Sequence, residues 1–323
     1  MPHSFYSNGK LLITGEYAVL DGALSLALPT SFGQSLSVQE INSFELRWRS
    51  LDKDGKVWFE NTFDLNPAEK TSSGQSIFTP NLNTGQDRSS KMVAIAETLS
   101  KILREAQALN PEWLNRNIGY SVETKLSFPR DWGLGSSSTL INNIAQWAEV
   151  DAYQLLWNAF TGSGYDIACA QKYHPIAYRL NKGKPIITEI DFNPTFQDHL
   201  YFIHLNKKQS SREGIATYRK KNFDKTMVLE KVSGITEKTI VCKSLSEFET
   251  LMNQHETLLS QSLGMPTVKE TLFPNFRGTV KSLGAWGGDF VLATGDHDTP
   301  SYFKGLGYDT VIPYKEMVMN QNN

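Results

Sequence analysis

Short apolar or alternating runs fill the first 65 residues. Leu11–Ile13, Leu24–Leu28, Leu36–Ile41, Phe44–Trp48 and Val57–Phe63 each read as a strand. Asp21-Gly22 and Asp54-Gly55 punctuate them, and the second pair predicts a hairpin turn. Residues 66–87 are rich in Ser, Thr, Asn, Gly and Pro, the composition of an exposed loop. The period then changes. Met92, Ile95, Ala96, Leu99, Ile102, Leu103 and Ala106 recur at steps of three and four, which predicts an amphipathic helix over 90–109 covering a sheet.

Further on, an alternating strand over 118–124 leads into a loop with Pro129 and Gly133-Leu134-Gly135, then a helical run over 136–159. Gly162-Ser163-Gly164 interrupts that run, and a short helix restarts at Asp166. Strands are predicted at Ile176–Leu180, Pro185–Ile190 and His199–Leu205, and helices near Ser211–Lys220 and Leu245–Leu263. The turn Gly284-Ala-Trp-Gly-Gly288 runs into the apolar strand Phe290–Ala293, and a last strand is predicted near Thr310–Ile312. Strands followed by mixed strands and helices point to an α+β protein. With 323 residues, two packed cores are expected, with the boundary between Leu180 and His199; the division adopted is 1–185 and 186–323.

Composition narrows the function classes. Lys+Arg 32 against Asp+Glu 34 gives a net charge of −2, so no global positive excess exists to hold a nucleic-acid backbone, and any anion site must be local. Cys169 and Cys242 cannot build a disulfide framework and form no Cys-x-x-Cys pair, which suits a reducing compartment. The first nine residues lack the basic flank and apolar run of a secretory signal, and no stretch approaches the ~20 apolar residues of a membrane span. The expectation is a soluble, cytoplasmic protein without nucleic-acid or membrane partners. Six scattered histidines make no zinc-binding pattern.

Three glycine-rich places carry candidate chemistry. Pro129-Arg-Asp-Trp-Gly-Leu-Gly-Ser-Ser-Ser138 lies between a strand and a helix. Its glycines allow close approach to a ligand, and its serines stand at the positive end of a helix dipole, a combination that binds phosphate. An ordinary serine-capped helix is the alternative. Neither a Walker lysine nor a third Rossmann glycine is present. In Gly9-Lys10-Leu-Leu-Ile-Thr-Gly-Glu-Tyr17, a lysine at a strand start could neutralise a transferring phosphoryl group or be a surface charge. In Lys281-Ser-Leu-Gly-Ala-Trp-Gly-Gly-Asp-Phe290, three glycines before a buried strand suggest close approach of another backbone.

Taken in order, these segments resemble the GHMP family of small-molecule kinases: galactose, homoserine, mevalonate and phosphomevalonate kinases. Lys10–Tyr17 with Ala18-Val-Leu20 is similar to the first family motif. Pro129–Ser138 resembles its phosphate loop, Gly162-Ser-Gly-Tyr-Asp166 its Ser-Gly-x-Asp segment, and Gly284–Asp289 its third, glycine-rich motif. The matches span almost the whole chain. Gly15-Glu16-Tyr17 and Gly287-Gly288-Asp289 resemble the mevalonate branch, phosphomevalonate kinases in particular.

The resemblance implies a two-domain fold: an N-terminal ribosomal-protein-like α/β domain with a left-handed βαβ unit, and a C-terminal ferredoxin-like domain, with ATP and the acceptor in the cleft. It implies that Gly133, Leu134, Gly135, Ser136, Ser137 and Ser138, with Gly284, Gly287 and Gly288, hold ATP, and that the Ser136 hydroxyl binds Mg²⁺. It implies Lys10 and Asp166 as the catalytic pair, with Asp166 alternatively an N-cap. Glu16, Tyr17, Ser163, Gly164, Ser211, Arg212 and Lys281 are the expected contacts to a small anionic acceptor. Lys207–Arg212 could equally be a basic, solvated helix start.

Two positions depart from the family. No acid occurs in Gln154–Asn158, where many members carry a second Mg²⁺ ligand; Asp151 is the nearest. Trp286 replaces a glycine of the third motif and either packs on the nucleotide or fills an interface. The reading is an ATP- and Mg²⁺-dependent kinase, monomer or homodimer, acting on phosphomevalonate first and mevalonate second. Its alternatives are a diphosphomevalonate decarboxylase and a catalytically silent ligand-binding relative.

Overall fold

The computed structural model describes residues 3–65, 89–114, 118–209 and 211–319, without the side chains of Ser211 and Arg212. The predicted loop over 66–87 lies outside the described residues. Two compact units emerge, each assembled from separated segments. The first comprises Met1–Ser7, Phe32–Arg130 and Gly135–Gln171, and the second Asn8–Ser31, Asp131–Leu134 and Lys172–Asn323.

In the first unit, β3 (Glu45–Leu51) and β4 (Val57–Asp64) form the predicted hairpin. Its turn is fixed by Asp52, whose carboxylate accepts from the amides of Asp54 and Lys56, while Gly55 takes a φ of 79°. β3 pairs parallel with β5 (Gly119–Leu126), and β5 pairs antiparallel with Gln34–Ile41 of β2 (Ser25–Ile41), giving the order β4-β3-β5-β2. β1 (His3–Thr14) also pairs with β2. Leu36, Val38, Leu46, Trp48, Phe59 and Phe63 bury one sheet face. Against them pack Ala96, Leu99, Ile102 and Leu103 of α1 (Ser90–Leu109), the stripe anticipated from the sequence. Each fully buried Leu, Ile or Phe contributes roughly 1.5–3 kcal/mol relative to exposure.

The single helical run expected over 136–159 is two helices, α2 (Ser136–Ala148) and α3 (Ala152–Ala159). Glu149 turns left-handed at φ 54°, and the Asp151 carboxylate caps α3 by accepting from the amides of Tyr153 (2.7 Å) and Gln154 (2.9 Å). α4 (Tyr165–Gln171) completes this unit.

In the second unit, Ser25–Ala27 of β2 pair with β6 (Ile176–Asn181), which turns through Lys182-Gly183 into β7 (Lys184–Glu189). The predicted strands over 24–28 and 36–41 are therefore one strand that changes partners. Pro29, which has no amide proton for a ladder, falls between the two paired stretches. A second sheet is antiparallel in the order β11-β8-β10-β9, from β8 (Leu200–His204), β9 (Val280–Leu283), β10 (Phe290–Thr294) and β11 (Val311–Pro313). Helices α5 (Ser211–Lys220), α6 (Lys225–Val241) and α7 (Leu245–Leu263) lie between β8 and β9 in the chain, followed by the short α8 (Val268–Leu272). α9 (Thr299–Gly305) and α10 (Tyr314–Met317) flank β11. The mixed α+β architecture on two sheets agrees with the expected class. Among the described residues, no helix is long and apolar enough to cross a membrane.

Candidate active site

β1 presents Lys10 to the glycine loop twice. Its amide donates to the Leu134 carbonyl at 3.0 Å, and its ammonium donates to the Gly133 carbonyl at 2.8 Å. Gly133 is left-handed at φ 66°, and a β-carbon there would lie 2.3 Å from the Asp289 carboxyl carbon, so only glycine fits. The loop thus runs directly over the third motif. Asp289 itself has φ 53°; its amide donates to the Lys207 carbonyl at 2.8 Å and its Oδ1 accepts from the Gln209 amide at 3.2 Å. Burial pushes its carboxyl above the ordinary range, opposed by the charges of Lys10, Lys208 and His204. Gly284 (φ 72°) and Gly287 (φ 79°) have open space beside them, whereas a β-carbon at Gly288 would meet Gln209 at 2.2 Å.

Glu16, which follows left-handed Gly15 (φ 101°), turns inward. Its Oε1 accepts from the Lys281 ammonium at 2.7 Å, and both side chains are fully buried. Lys281 also donates to the Ser282 carbonyl and lies 3.6 Å from Glu256 Oε1. His255 Nε2 accepts from the Gly15 amide at 3.0 Å, which requires a neutral imidazole with its proton on Nδ1; burial and Lys281 both hold its pKa well below the usual value. Burial raises the Glu16 carboxyl to about 7 despite Lys281. Glu16 Oε2, Glu256 Oε1 and His255 Nδ1 have no hydrogen-bond partner among the described residues. The sequence named Glu16 and Lys281 separately; their pairing, and the part of His255 and Glu256, carry no local signal.

Tyr17 is also interior. Its hydroxyl accepts from the Trp286 amide at 2.8 Å, and its ring stacks on Tyr218 at 5.7 Å. Gly214 is required there, because a β-carbon would meet the Tyr17 hydroxyl at 2.5 Å. Trp286 packs in the same cluster and donates from Nε1 to the Pro266 carbonyl at 3.0 Å, filling the interior of its own unit.

In the first unit, α2 begins at Ser136 with left-handed Gly135 (φ 91°) in the N-cap position, which offers no side chain to the first amides. Ser136 is half-buried, Ser137 exposed and Ser138 buried. The Ser138 hydroxyl donates to Asp166 Oδ2, and Asp166 Oδ1 accepts from the Ile167 amide at 3.1 Å. Asp166 is the second residue of α4, after buried Ser163 and left-handed Gly164, so it lies inside the first turn and not at the N-cap. Asp151, the acid nearest in sequence to Gln154–Asn158, accepts both of its capping bonds at Oδ1. Ser211 and Arg212 open α5, but their side chains lie outside those described.

These observations define a class of fold. The chain has the fold of the GHMP kinases, and the likeness extends over nearly its full length. It is similar to the mevalonate kinase of Methanococcus jannaschii, with a TM-score of 0.66 and 16% identity over 96% of each chain. The Streptococcus pneumoniae phosphomevalonate kinase, solved with phosphomevalonate and AMPPNP, matches with a TM-score of 0.62 and 18% identity, covering 94% of this chain and 95% of that one. Lactococcus lactis galactokinase, solved with galactose, gives 0.64 and 14%, covering 98% and 93%. No protein-family model matches the sequence, and no curated protein matches it. At these identities the likeness is one of fold.

Proposed function

We propose that the protein is an ATP-dependent small-molecule kinase that transfers the γ-phosphoryl group to an acceptor of the mevalonate branch, phosphomevalonate first and mevalonate second. The observation that carries this reading is Lys10. An ammonium bonded to the carbonyl of a left-handed loop glycine is a fixed positive charge beside a backbone shaped for phosphate. Phosphoryl transfer needs positioning and charge neutralisation more than covalent chemistry, and that is what a fixed lysine supplies. The fold shared with kinases for mevalonate, phosphomevalonate and galactose supports the same reading.

The roles follow from chemistry. Lys10 lowers the negative charge on the transferring group, and Asp166 holds or accepts the proton of the attacking acceptor oxygen. Gly133, Leu134, Gly135, Ser136 and Ser137, with Gly284, Gly287 and Gly288, contact the nucleotide, and Ser163, Gly164, Ser211 and Arg212 the acceptor. Glu16, Tyr17 and Lys281, expected from the sequence as acceptor contacts, are instead buried among partners of their own unit. Among the described residues, no group of three His, Cys, Asp or Glu could hold a metal by itself. The donor set fits a hard cation that takes most of its ligands from phosphate and water. The Ser136 hydroxyl is the proposed protein ligand of Mg²⁺, which would neutralise phosphate charge.

A coupled ADP-release assay with MgATP tests this against mevalonate, 5-phosphomevalonate, 5-diphosphomevalonate, galactose and homoserine. Turnover is expected with 5-phosphomevalonate or, failing that, mevalonate. Silence across the panel with ATP binding intact would leave the fold as a ligand-binding relative, the reading favoured by the lack of an acid in Gln154–Asn158.

A further inference from the structure

The three serines that open α2 are not equivalent. Successive helix residues diverge by about 100°, so three consecutive hydroxyls cannot face one ligand. Ser137 faces solvent, Ser136 is half-buried and Ser138 is buried. Ser138 donates its hydroxyl to Asp166 Oδ2 on α4. A serine hydroxyl has a single hydrogen, and this one is given to a carboxylate. It is therefore absent from the donors available to a phosphate group, the role that the loop's sequence assigns it. The next hydroxyl, of Thr139, donates elsewhere, to Gln34 Oε1 at 2.7 Å.

We propose that Ser138 is a positioning residue for Asp166, acting on the acceptor side of the reaction and not on the nucleotide. The inference rests on the reading of Asp166 as the group that manages the acceptor proton. The carboxylate is held at both oxygens, by Ser138 at Oδ2 and by the Ile167 amide at Oδ1. Two bonds from two helices fix its plane, leaving defined lone pairs for an acceptor oxygen. The bond also makes the first turn of α2 and the acid move as one piece.

The test is steady-state kinetics of the protein with MgATP and 5-phosphomevalonate. Ser138→Ala is expected to lower kcat roughly 10- to 100-fold, the scale of a misplaced catalytic group, with KM for ATP within about twofold. Ser138→Thr, which keeps a hydroxyl, is expected to recover most of the loss. In an Asp166→Asn background Ser138→Ala is expected to add less than about twofold, because the two residues act as one unit. If Ser138→Ala does not fold, Ser138→Cys, with a weaker donor of similar size, carries the same kcat expectation in smaller measure.

An unchanged kcat in these variants, with the wild type active, overturns the inference and leaves the kinase reading standing. So does a loss confined to KM for ATP, which would make Ser138 a nucleotide ligand. An inactive wild type that still binds ATP removes both.

Discussion

The Lys281 ammonium and the Glu16 carboxylate meet at 2.7 Å with no solvent exposure on either side, joining β9 to the turn that follows β1. Glu256 lies close to the same ammonium, so two acids share one base in the interior. With neutral His255 beside them, full ionisation leaves an uncompensated negative charge. The raised Glu16 pKa of about 7 expresses the same imbalance.

Removing Lys281 should therefore be costly. Lys281→Met is expected to destabilise the protein by about 3–5 kcal/mol at pH 7, the range for breaking a buried pair from one side. Part of the loss should return at pH 5, where the stranded carboxyls take up protons. The pH dependence of the pair has a definite sign. Glu16 ionises near 4.5 when unfolded and near 7 when folded, so its contribution is full below about 4.5 and fades as pH rises through 7. His255, held neutral, acts in the opposite sense below its ordinary 6.5. The wild type must accordingly be compared with Glu16→Gln, which leaves His255 in place. Denaturant unfolding at pH 5, 6 and 7 should show a stability difference between them that drifts against the wild type by on the order of 2 kcal/mol as pH rises. A flat difference would mean that Glu16 is ionised throughout.

Two left-handed glycines offer a controlled comparison. Gly183→Ala, in the turn between β6 and β7, meets open space and is expected to suffer only the backbone penalty of about 1–2 kcal/mol. Gly133→Ala adds a collision with the Asp289 carboxyl and should lower stability further and weaken ATP binding at least ~10-fold. Isothermal titration with a non-hydrolysable ATP analogue and thermal melts would separate the two variants. Equal behaviour would mean that the loop shifts away from Asp289 without loss.

Lys10→Ala and Asp166→Asn are each expected to lower turnover by at least ~10²-fold while the melting temperature changes little. Among the described residues Lys10 donates its side chain only to a loop carbonyl, and Asp166 sits half-buried, so neither anchors a core. A matched fall in melting temperature and turnover would assign both residues to scaffolding.

Much of this was legible in the chain. α1, α5 and α7 follow the expected spans, because their apolar stripes or capping residues are local signals. Gly133 and Gly135 of the loop before α2 announce their left-handed conformation because glycine adopts it most freely. α6 was not anticipated. Its buried face includes Thr236 and Thr239 beside Val228, Val232 and Ile235, so the stripe is partly written in hydroxyls. Thr236 bonds the Val232 and Leu24 carbonyls, the latter 212 residues away. β9 was hidden because Lys281 and Ser282 read as polar, although both are buried by partners distant in sequence. The same distance concealed the cluster around Glu16. The break between α2 and α3 needed a left-handed glutamate, which no pattern marks.

The separation of Glu16 from its partners also sets a schedule. Glu16 is made 265 residues before Lys281, and Gly15 is made 240 residues before His255. At roughly 5–20 residues per second, Glu16 waits about 13 to 53 seconds on the nascent chain before its counter-ion exists. Throughout that interval its charge stays in water, and the turn it will anchor cannot close. A ribosome that stalls or terminates before β9 releases a chain whose first motif has no interior to enter, and such a chain is a substrate for quality control, however complete its N-terminal strands are.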